Sequence, residues 1–310
     1  MALVAFLSAA IQAGTPLLFA TLGEIVTEKS GNLNLGVEGM MLIGAVAGFK
    51  VGLITSSPLL AIIGAVIAGA LSALIFAFLT VTLRANQVVS GLSLTILGTG
   101  ISSFIGQSLI GTVVPQKVGE FFKAINLPLL SQIPFMGDVI FKQNVFVYMG
   151  YVCAIAIGVY MYRTRKGLNL RMVGENPAAA DASGINVTLY KYVHILAGGA
   201  LCALGGAYLS LVYVPAWQEN VTAGRGWIAV ALVIFSMWNP YKAMASAYFF
   251  GGLDIIGFRI QKYNLPISQY VIDMLPYIAT ILVLVVVSAK KSKENMAPES
   301  LGVSYFREDR

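Results

Sequence analysis

The stretch LLAIIGAVIAGALSALIFAFLTVTL, residues 59–83, contains 25 residues and no charged side chain. A transmembrane α-helix needs about 20 mostly apolar residues to cross a hydrocarbon core, whereas a transmembrane β-strand needs only about 10. Inside a bilayer every backbone polar group must find a partner within the protein, so only helices and closed barrels span it. The length of this stretch therefore predicts a transmembrane helix.

Similar apolar runs recur along the whole chain, which has 310 residues, is 57% hydrophobic and 11% charged, and has a mean hydropathy of +0.80. This composition indicates an integral membrane protein. We predict an all-α, polytopic fold with about nine (roughly eight to ten) transmembrane helices, some of them short or broken. The predicted spans are Leu3–Leu22, Gly36–Ile54, Leu59–Leu83, Val88–Gly111, Asn144–Tyr162, Tyr192–Val214, Trp227–Trp238, Ala243–Phe258 and Ser268–Ala289.

Lysine and arginine are concentrated in two segments, the loop 163–191 and the C-terminal tail 290–310. Their basic residues are Arg163, Arg165, Lys166, Arg171 and Lys191 in the loop, and Lys290, Lys291, Lys293, Arg307 and Arg310 in the tail. These ten are half of the 20 basic residues of the chain. Because cytoplasmic loops are enriched in Lys and Arg, both segments are predicted to be cytoplasmic. Nine crossings then place the N-terminus outside, whereas a re-entrant crossing near residues 30–36 would place it inside; the sequence leaves both open.

The chemistry of the remaining residues argues against an enzyme. Cys153, Cys202 and His194 all lie in apolar spans, so we expect no metal site and no Cys/His nucleophile pair. No glycine-rich sequence of the kind that holds nucleotide phosphates occurs in the chain. The net charge of +6 is explained by cytoplasmic basic residues and does not indicate nucleic-acid binding. We therefore expect no catalytic residue and no cofactor in this chain, and any ATP must be bound by another subunit.

Polar residues in the fourth span are the first candidates for a substrate path. Gly91, Thr95, Thr99, Ser102 and Gly106 share one helical face, and Ser103 and Gln107 form a polar pair beside it. Such residues either line a path or let two helices approach closely, and both interpretations stay open. For the glycine rows of two other spans we expect close packing; these rows are Gly44, Gly48 and Gly52, and Gly198, Cys202 and Gly206.

The second candidate is the segment SGNLNLGVEG, residues 30–39, which interrupts the apolar pattern where a span begins. Broken helices at membrane depth are tolerated where they are covered by protein or line a cavity, and transporters use them to bind substrate. Asn32 and Asn34 offer amide groups there. Glu38 is costly in an apolar run unless it pairs or caps a helix, and we favour a cap that holds the broken helix over a substrate ligand.

The loop segment LRMVGENPAAADASGINV, residues 170–187, resembles the ATPase-coupling loop of permease subunits from bacterial ABC importers of ribose, branched-chain amino acids and nucleosides. Four further blocks resemble the nucleoside-type branch: LGEIVTEKSGNLNLGVEGMMLIGA (22–45), GRGWIAVALVIFSMWNP (224–240), FGGLDIIGFRIQ (250–261) and LPYIAT (275–280). Together they cover most of the chain in the family's order, and this ordered set is highly specific. Residues 114–143 are the least similar to the family.

The resemblance implies a permease of the type II-like ABC importer class, in a bacterial plasma membrane. Residues 1–289 would form one transmembrane domain that includes the cytoplasmic coupling loop 163–191, and residues 290–310 a cytoplasmic tail. The chain would form half of the translocation path for nucleosides, with purine nucleosides preferred. Its partners would be a second, related permease, a cytoplasmic ATPase that binds ATP and Mg²⁺, and an extracellular substrate-binding lipoprotein.

The resemblance also implies that the ATPase is contacted through Gly174, Glu175, Asn176, Pro177, Ala179, Ala180 and Gly184. The residue types of this segment suit a short helix, with Asn176 as cap, Pro177 in the first turn and Gly184 at the end. A helix with small side chains can sit in a partner's groove and transmit its movement to the flanking spans.

Nucleosides are flat, neutral and amphipathic, so hydroxyl and amide groups would suit a path for them. The candidate path residues are Asn32, Asn34, Glu38, Thr95, Thr99, Ser102 and Gln107. A permease for a ribose-type sugar or a branched-chain amino acid is the main alternative. A secondary transporter is a further one, although it would need a relay of ionisable groups, and Glu38 stands nearly alone in the predicted spans. The sequence leaves open which nucleoside is carried and whether the two permeases are identical.

Overall fold

The computed structural model of the chain describes residues 2–126, 131, 133–261, 271, 274–289 and 296–308. These residues are mostly helical. The helices are α1 (Ala2–Glu28), α2 (Val37–Thr55), α3 (Pro58–Ala77), α4 (Gln87–Gly106), α5 (Gln116–Phe121), α6 (Met136–Ile140), α7 (Val145–Arg163), α8 (Arg165–Glu175), α9 (Pro177–Ala182), α10 (Val187–Tyr208), α11 (Arg225–Phe235), α12 (Pro240–Gln261) and α13 (Leu275–Ala289). Single π-helical turns, Phe78–Thr82 and Leu209–Tyr213, extend α3 and α10. Two short strands, β1 (Ile125–Asn126) and β2 (Lys142–Gln143), form an antiparallel pair in which Ile125 faces Gln143.

Six helices of the described part are long and apolar enough to cross a membrane. They are Leu3–Glu28, Val37–Thr55, Pro58–Thr82, Gln87–Leu109, Val145–Arg163 and Val187–Tyr213. Each overlaps one of the first six predicted spans. The seventh prediction corresponds to α11, which is short as expected at 11 residues. The eighth corresponds to α12, which begins at Pro240 and has 22 residues, more than predicted. Helix α13 covers the described end of the ninth prediction, whereas residues 268–270 and 272–273 of that span, and tail residues 290–295 and 309–310, lie outside the described residues.

The first helix is longer than the sequence pattern indicated. The predicted span ended at Leu22, but α1 continues to Glu28, and both Glu24 and Glu28 are fully buried. The carboxylate of Glu24 accepts a hydrogen bond from the Asn34 backbone N–H at 3.0 Å, and that of Glu28 accepts one from the indole N–H of Trp238. Each donor binds one carboxylate oxygen and so offsets part of the cost of burying an acid within the helix, while Oε2 of Glu24 has no hydrogen-bond partner among the described residues.

Close helix contacts at small residues build the centre of the molecule. Helix α10 packs against α1, α2 and α3. A Cβ atom added to Gly206 would collide with the carbonyl of Met41 in α2, and one added to Gly44 would collide with the backbone of Ala203 in α10. The expectation that the glycine rows serve packing is therefore confirmed at these positions, because only hydrogen fits between the two backbones.

Two groups of loops mark opposite ends of the helical body. At one end, α8 and α9 lie beside the residues that follow α1, with Gly174 against the backbone of Lys29. At the other end, the amide of Gln143 donates to the hydroxyl of Ser8 near the start of α1 at 3.0 Å. Helix α1 therefore runs from the end that carries the β1–β2 pair to the end that carries α9.

Broad apolar surface remains exposed on α3 and α4. Leu59, Leu71, Ile96 and Phe104 are examples, and Phe104 is 82% exposed. Exposed apolar area of this extent is the surface that a lipid-facing or partner-facing helix presents.

Candidate functional site

The connecting segment between α1 and α2, residues 29–36, is not helical, and it falls largely within residues 30–39, where the sequence analysis placed an interruption of the apolar pattern. Its backbone is held from both sides: the Leu33 N–H donates to the side-chain oxygen of Gln87 at 2.7 Å, while Asn34 donates to Glu24. The hydroxyl of Thr95 donates to the Leu35 carbonyl at 2.9 Å. Because these partners lie on α1 and α4, the connecting segment is enclosed between two spans.

Helix α2 consequently begins inside the helical body rather than at its end. Gly39, in the first turn of α2, packs directly against Gly98 of α4. Gly98 is the midpoint of the span Gln87–Leu109. Gly36, at the N-terminus of α2, packs against Leu94, so this terminus lies within the depth of the fourth span, which is the geometry of a broken membrane helix.

A second helix starts at the same depth, and Glu38 joins the two. The carboxylate of Glu38 accepts hydrogen bonds from the Thr222 hydroxyl at 2.6 Å, the Gly224 N–H at 2.8 Å and the Gly226 N–H at 2.6 Å. Gly224 and Gly226 form the start of α11, where free N–H groups and the helix dipole favour a negative charge. The sequence analysis made Glu38 a cap of its own helix; the carboxylate caps α11 instead, while Gly36 precedes α2 without a side-chain cap.

Charged and aromatic groups surround the start of α11. The guanidinium of Arg225 is 3.5 Å from the carboxylate of Asp254 on α12, with both side chains largely buried. The same guanidinium lies 5.9 Å from the ring centroid of Tyr213 and donates to the Thr222 carbonyl at 3.3 Å. The junction of the two broken helices is thus bordered by an ion pair that is mostly withdrawn from solvent.

The candidate path residues on α4 fall into two groups. Thr95 and Gly91 lie on the side that packs against the connecting segment, whereas Ser102 is buried and Gly106 packs against Trp217. Thr99 is exposed and donates only to the Thr95 carbonyl of its own helix, at 2.9 Å. The geometry therefore favours packing for most of the face and leaves Thr99 free to meet a solute or a partner.

Gln107 lines a cavity near the end of α4 that is remote from α9. The cavity has a volume of about 350 Å³, and its lining includes Ser103, Phe104, Gln107, Trp217 and Glu219. Trp217 is held in place by the Thr112 carbonyl, which accepts from its N–H at 3.0 Å. A wall with two aromatic side chains and with amide, hydroxyl and carboxylate groups suits a small amphipathic solute.

Asn32 and Asn34 are buried and bonded within their own segment. The Asn32 amide donates to the Ser30 hydroxyl at 2.8 Å, and the Asn34 side-chain oxygen accepts from the Gly36 N–H at 2.9 Å. Both residues are 1% exposed. In this conformation they shape the connecting segment, and Oδ1 of Asn32 has no hydrogen-bond partner among the described residues.

The short helix predicted between Asn176 and Gly184 is present as α9. The Asn176 side-chain oxygen accepts from the Ala179 N–H at 2.9 Å, and Pro177 occupies the first helical position. Gly184 has a φ of +81°, in the left-handed region that favours glycine after a helix, and an added side chain there would point into open space. Each feature of the capping pattern agrees with the sequence analysis.

One face of α9 is exposed, and it consists of small residues. Ala178, Ala179 and Ala182 are exposed, whereas Ala180 is buried against Val173 and Val187. Gly174 is buried against Lys29, and Glu175 is exposed. Burial lowers the pKa of the Lys29 ammonium, and the nearby Glu175 carboxylate opposes that shift. Because Ala178, Ala179 and Ala182 form it, the exposed face of α9 has small side chains and no charge.

Several residues that hold these sites together were missed by the sequence analysis. Glu24, Glu28, Thr222 and Trp238 all make buried hydrogen bonds across the fold. One signal in the sequence could have identified the two acids. Thr21, Glu24 and Glu28 are spaced by three and four residues, so they share one face of a helix that continues beyond Leu22. Thr222 and Trp238 carried no such signal, because their partners lie far away in the chain.

Comparison with known proteins gives one family and several relatives. The family model described as branched-chain amino acid transport system / permease component matches residues 6–285. TsgC13 of Haloferax volcanii, provisionally assigned as a glucose ABC transporter permease protein, is 35% identical over an alignment that covers 97% of each chain. The nucleoside ABC transporter permease protein NupC of Lactococcus lactis subsp. cremoris is 35% identical over 94% of each chain. The guanosine ABC transporter permease protein NupQ of Bacillus subtilis is 33% identical over 94% of this chain and 93% of its own.

A solved structure has a similar fold. It is an ABC transporter provisionally assigned to the metal-chelate type, in an inward-facing conformation, with a TM-score of 0.52. The alignment covers 92% of this chain and 85% of that one, at 12% sequence identity. At this identity the likeness concerns the fold alone.

Proposed function

We infer the transported substrate from the premise that this chain belongs to the branched-chain amino acid transport system permease family and is a permease subunit of an ABC importer. The substrates that we propose are nucleosides, with purine nucleosides preferred. NupC and NupQ, each at least 33% identical to this chain, carry nucleoside and guanosine in their names. The cavity beside Trp217 supports the proposal, because an aromatic face and hydrogen-bonding groups match a base and a sugar.

A sugar is the second candidate, and TsgC13 is the observation that favours it, since its provisional assignment is to glucose at 35% identity. Sugars and nucleosides differ in the protein groups that a translocation path must provide to bind them. A sugar needs many hydrogen-bond partners around its hydroxyls, whereas a nucleoside also needs an apolar surface for its base. Of the candidate path residues, Thr99 and Gln107 are accessible in this conformation and are proposed to contact either solute.

The proposed assembly contains this chain, a second related permease, a cytoplasmic ATPase that binds ATP and Mg²⁺, and an extracellular substrate-binding lipoprotein. We propose that residues 1–289 form one membrane domain with about nine spans, and that ATP is not bound by this chain. The basic residues of loop 163–191 support a cytoplasmic α9. Since the start of α1 lies at the end opposite α9, the proposed N-terminus is outside the cell.

The proposal is tested by uptake of radiolabelled guanosine into proteoliposomes that hold the chain with its co-purifying permease, ATPase and binding protein. We expect uptake that requires ATP and that falls when excess adenosine is added, but not when glucose, ribose or leucine is added. Competition by glucose or ribose in place of adenosine would assign the importer to sugars. Uptake at full rate without ATP would contradict the ABC mechanism itself.

The exposed face of α9 leads to a prediction about coupling. The change Ala179→Trp puts a large ring where the structure presents a methyl group, and it is expected to lower ATP-dependent uptake by roughly tenfold or more, as a clash at the centre of an interface does. Because Ala179 is exposed, the amount of folded protein is expected to stay the same. The measurements are uptake and co-purification of the ATPase.

Ala179→Ser is the matched control for that prediction. It adds one small polar atom at the same exposed position, so uptake is expected to stay within about twofold of the unmodified complex. Normal ATPase binding and normal uptake in the tryptophan variant would show that α9 does not contact the ATPase.

A further inference from the structure

The described C-terminal segment, residues 296–308, returns to the coupling region and runs alongside it. Both the N–H and the hydroxyl of Ser300 donate to the Gly174 carbonyl at the end of α8. The Glu299 N–H donates to the Glu175 carboxylate at 3.2 Å, and the Gly302 N–H donates to the Gly31 carbonyl at 3.3 Å. This first half of the segment therefore ties the end of α8 to the turn that follows α1.

The second half of the segment reaches α9 itself. The Tyr305 hydroxyl donates to the Asp181 carboxylate at 2.9 Å, and the Arg307 guanidinium is 3.2 Å from the same carboxylate. Phe306, which stands between these two residues in the chain, packs against the guanidinium of Arg84. The guanidinium carbon of Arg84 is 3.4 Å from the centroid of the Phe306 ring. Arg84 belongs to the turn between α3 and α4, so the segment spans from that turn to α9.

These contacts form a strap across a helix that cannot hold its orientation alone. Helix α9 has six residues, well below the length at which a helix is stable in isolation. Its buried contact is limited to Ala180 in a small cluster with Val173 and Val187. The ion pair between Asp181 and Arg307 is half open to solvent, with Arg307 80% exposed, so it adds little to the stability of the whole fold. An ion pair in this position affects the orientation of α9 more than it affects the stability of the whole fold.

We propose that segment 296–308 is a positioning strap for the coupling helix. Tyr305 and Arg307 hold Asp181, so that Ala178, Ala179 and Ala182 face outward towards the ATPase. The backbone bonds at Gly174 fix the other end of the same unit. Arg84 and Phe306 link the strap to the α3–α4 turn, so movement of α9 is passed to those spans as well as to α8 and α10. This inference rests on the proposed contact of α9 with the ATPase.

The test uses the full reconstituted importer and measures the number of ATP molecules hydrolysed for each guanosine taken up. Arg307→Asp places two carboxylates together, and we expect this ratio to rise roughly three- to fivefold. Asp181→Arg alone is expected to do the same. The double variant R307D/D181R restores opposite charges and is expected to return the ratio to within about twofold of the unmodified complex.

Two further variants separate positioning from folding. Glu308→Gln changes an exposed charge next to Arg307 and is expected to leave the ratio unchanged. Tyr305→Phe removes one hydrogen bond without altering the packing of the ring and is expected to raise the ratio by a smaller factor than R307D. The amount of monodisperse complex is measured for every variant, and the ratio is expressed per folded complex.

The strap inference and the proposed function fail in different ways. ATP-dependent uptake by the unmodified complex, together with an unchanged ratio in R307D and D181R, would overturn the strap and leave the importer assignment intact. Loss of folded complex without a change in the ratio would also overturn it, since the role of the segment would then be structural. Absence of ATP-dependent uptake in the unmodified complex would overturn the proposed function, and the strap with it.

Discussion

Replacing Glu38 by alanine is expected to abolish transport and to destabilise the fold by about 3–5 kcal/mol. Its carboxylate accepts three hydrogen bonds from residues 222, 224 and 226, and Glu38 is only 6% exposed. Alanine leaves two backbone N–H groups and a hydroxyl buried without their acceptor, and it removes the negative charge at the N-terminus of α11. A loss of this size is a large fraction of the total stability of a typical protein.

Glu38→Gln separates the contribution of charge from that of shape. The amide oxygen can still accept from Thr222 and Gly224, but its NH₂ group faces the Gly226 N–H, so we expect a milder loss than in the alanine variant. Glu120→Gln, at an exposed carboxylate in α5, is the control and is expected to behave like the unmodified protein. The measurements are guanosine uptake and the temperature at which the detergent-solubilised protein loses its monodisperse peak.

The outcomes distinguish the two roles assigned to Glu38. Equal melting of E38A and E120Q would show that the carboxylate does not hold α11. Lost uptake at unchanged melting temperature would favour the interpretation of Glu38 as a substrate ligand, whereas a parallel loss of both supports the cap.

Replacing Gly206 by alanine is the second change with a large expected effect. A Cβ at this position would collide with the carbonyl of Met41, and the neighbouring groups are backbone atoms that cannot rotate away. We expect a destabilisation of about 1–3 kcal/mol from overpacking, and a separation of α2 from α10 that slows transport. Gly100→Ala is the matched control: Gly100 also lies within a helix, but no atom lies within 4 Å of an added Cβ.

The two glycines are therefore expected to respond in opposite directions. Alanine at position 100 gains about 0.5–1 kcal/mol, because glycine in a helix interior costs backbone entropy. Thermal stability in detergent measures both changes. If G206A were as stable as G100A, the contact between α2 and α10 would be looser than the structure shows.

The two broken helices explain why some of the candidate path residues are buried and hydrogen-bonded while others are exposed. Helices α2 and α11 begin beside each other within the depth of the fourth span, and Glu38 binds one start to the other. The residues that form this junction, including Asn32, Asn34 and Thr95, are engaged in its own hydrogen bonds. Thr99 and Gln107 take no part in the hydrogen bonds of this junction and are exposed. Substrate contact is proposed for these two residues.

Sequence reasoning was accurate where the determining interaction is local. Spans follow from the length of apolar runs, which depends only on neighbouring residues and on the thickness of a bilayer. The caps of α9 follow from Asn176, Pro177 and Gly184, whose preferences act within one helical turn. The end of α1 was misplaced because the fate of Glu24 and Glu28 depends on Asn34 and Trp238, and the second of these is 210 residues away from Glu28.

By itself, the sequence determined that the chain is a helical membrane protein, where most of its spans lie, and that a short capped helix stands in the basic loop. It also carried the resemblance from which the importer family was predicted. Only the tertiary structure decided that Glu38 caps α11, 188 residues from its partner Gly226, and that the tail holds Asp181. The physical reason is the range of the interactions: hydrophobic length and helix capping act between near neighbours, whereas a buried carboxylate is satisfied by whichever donor the fold brings to it.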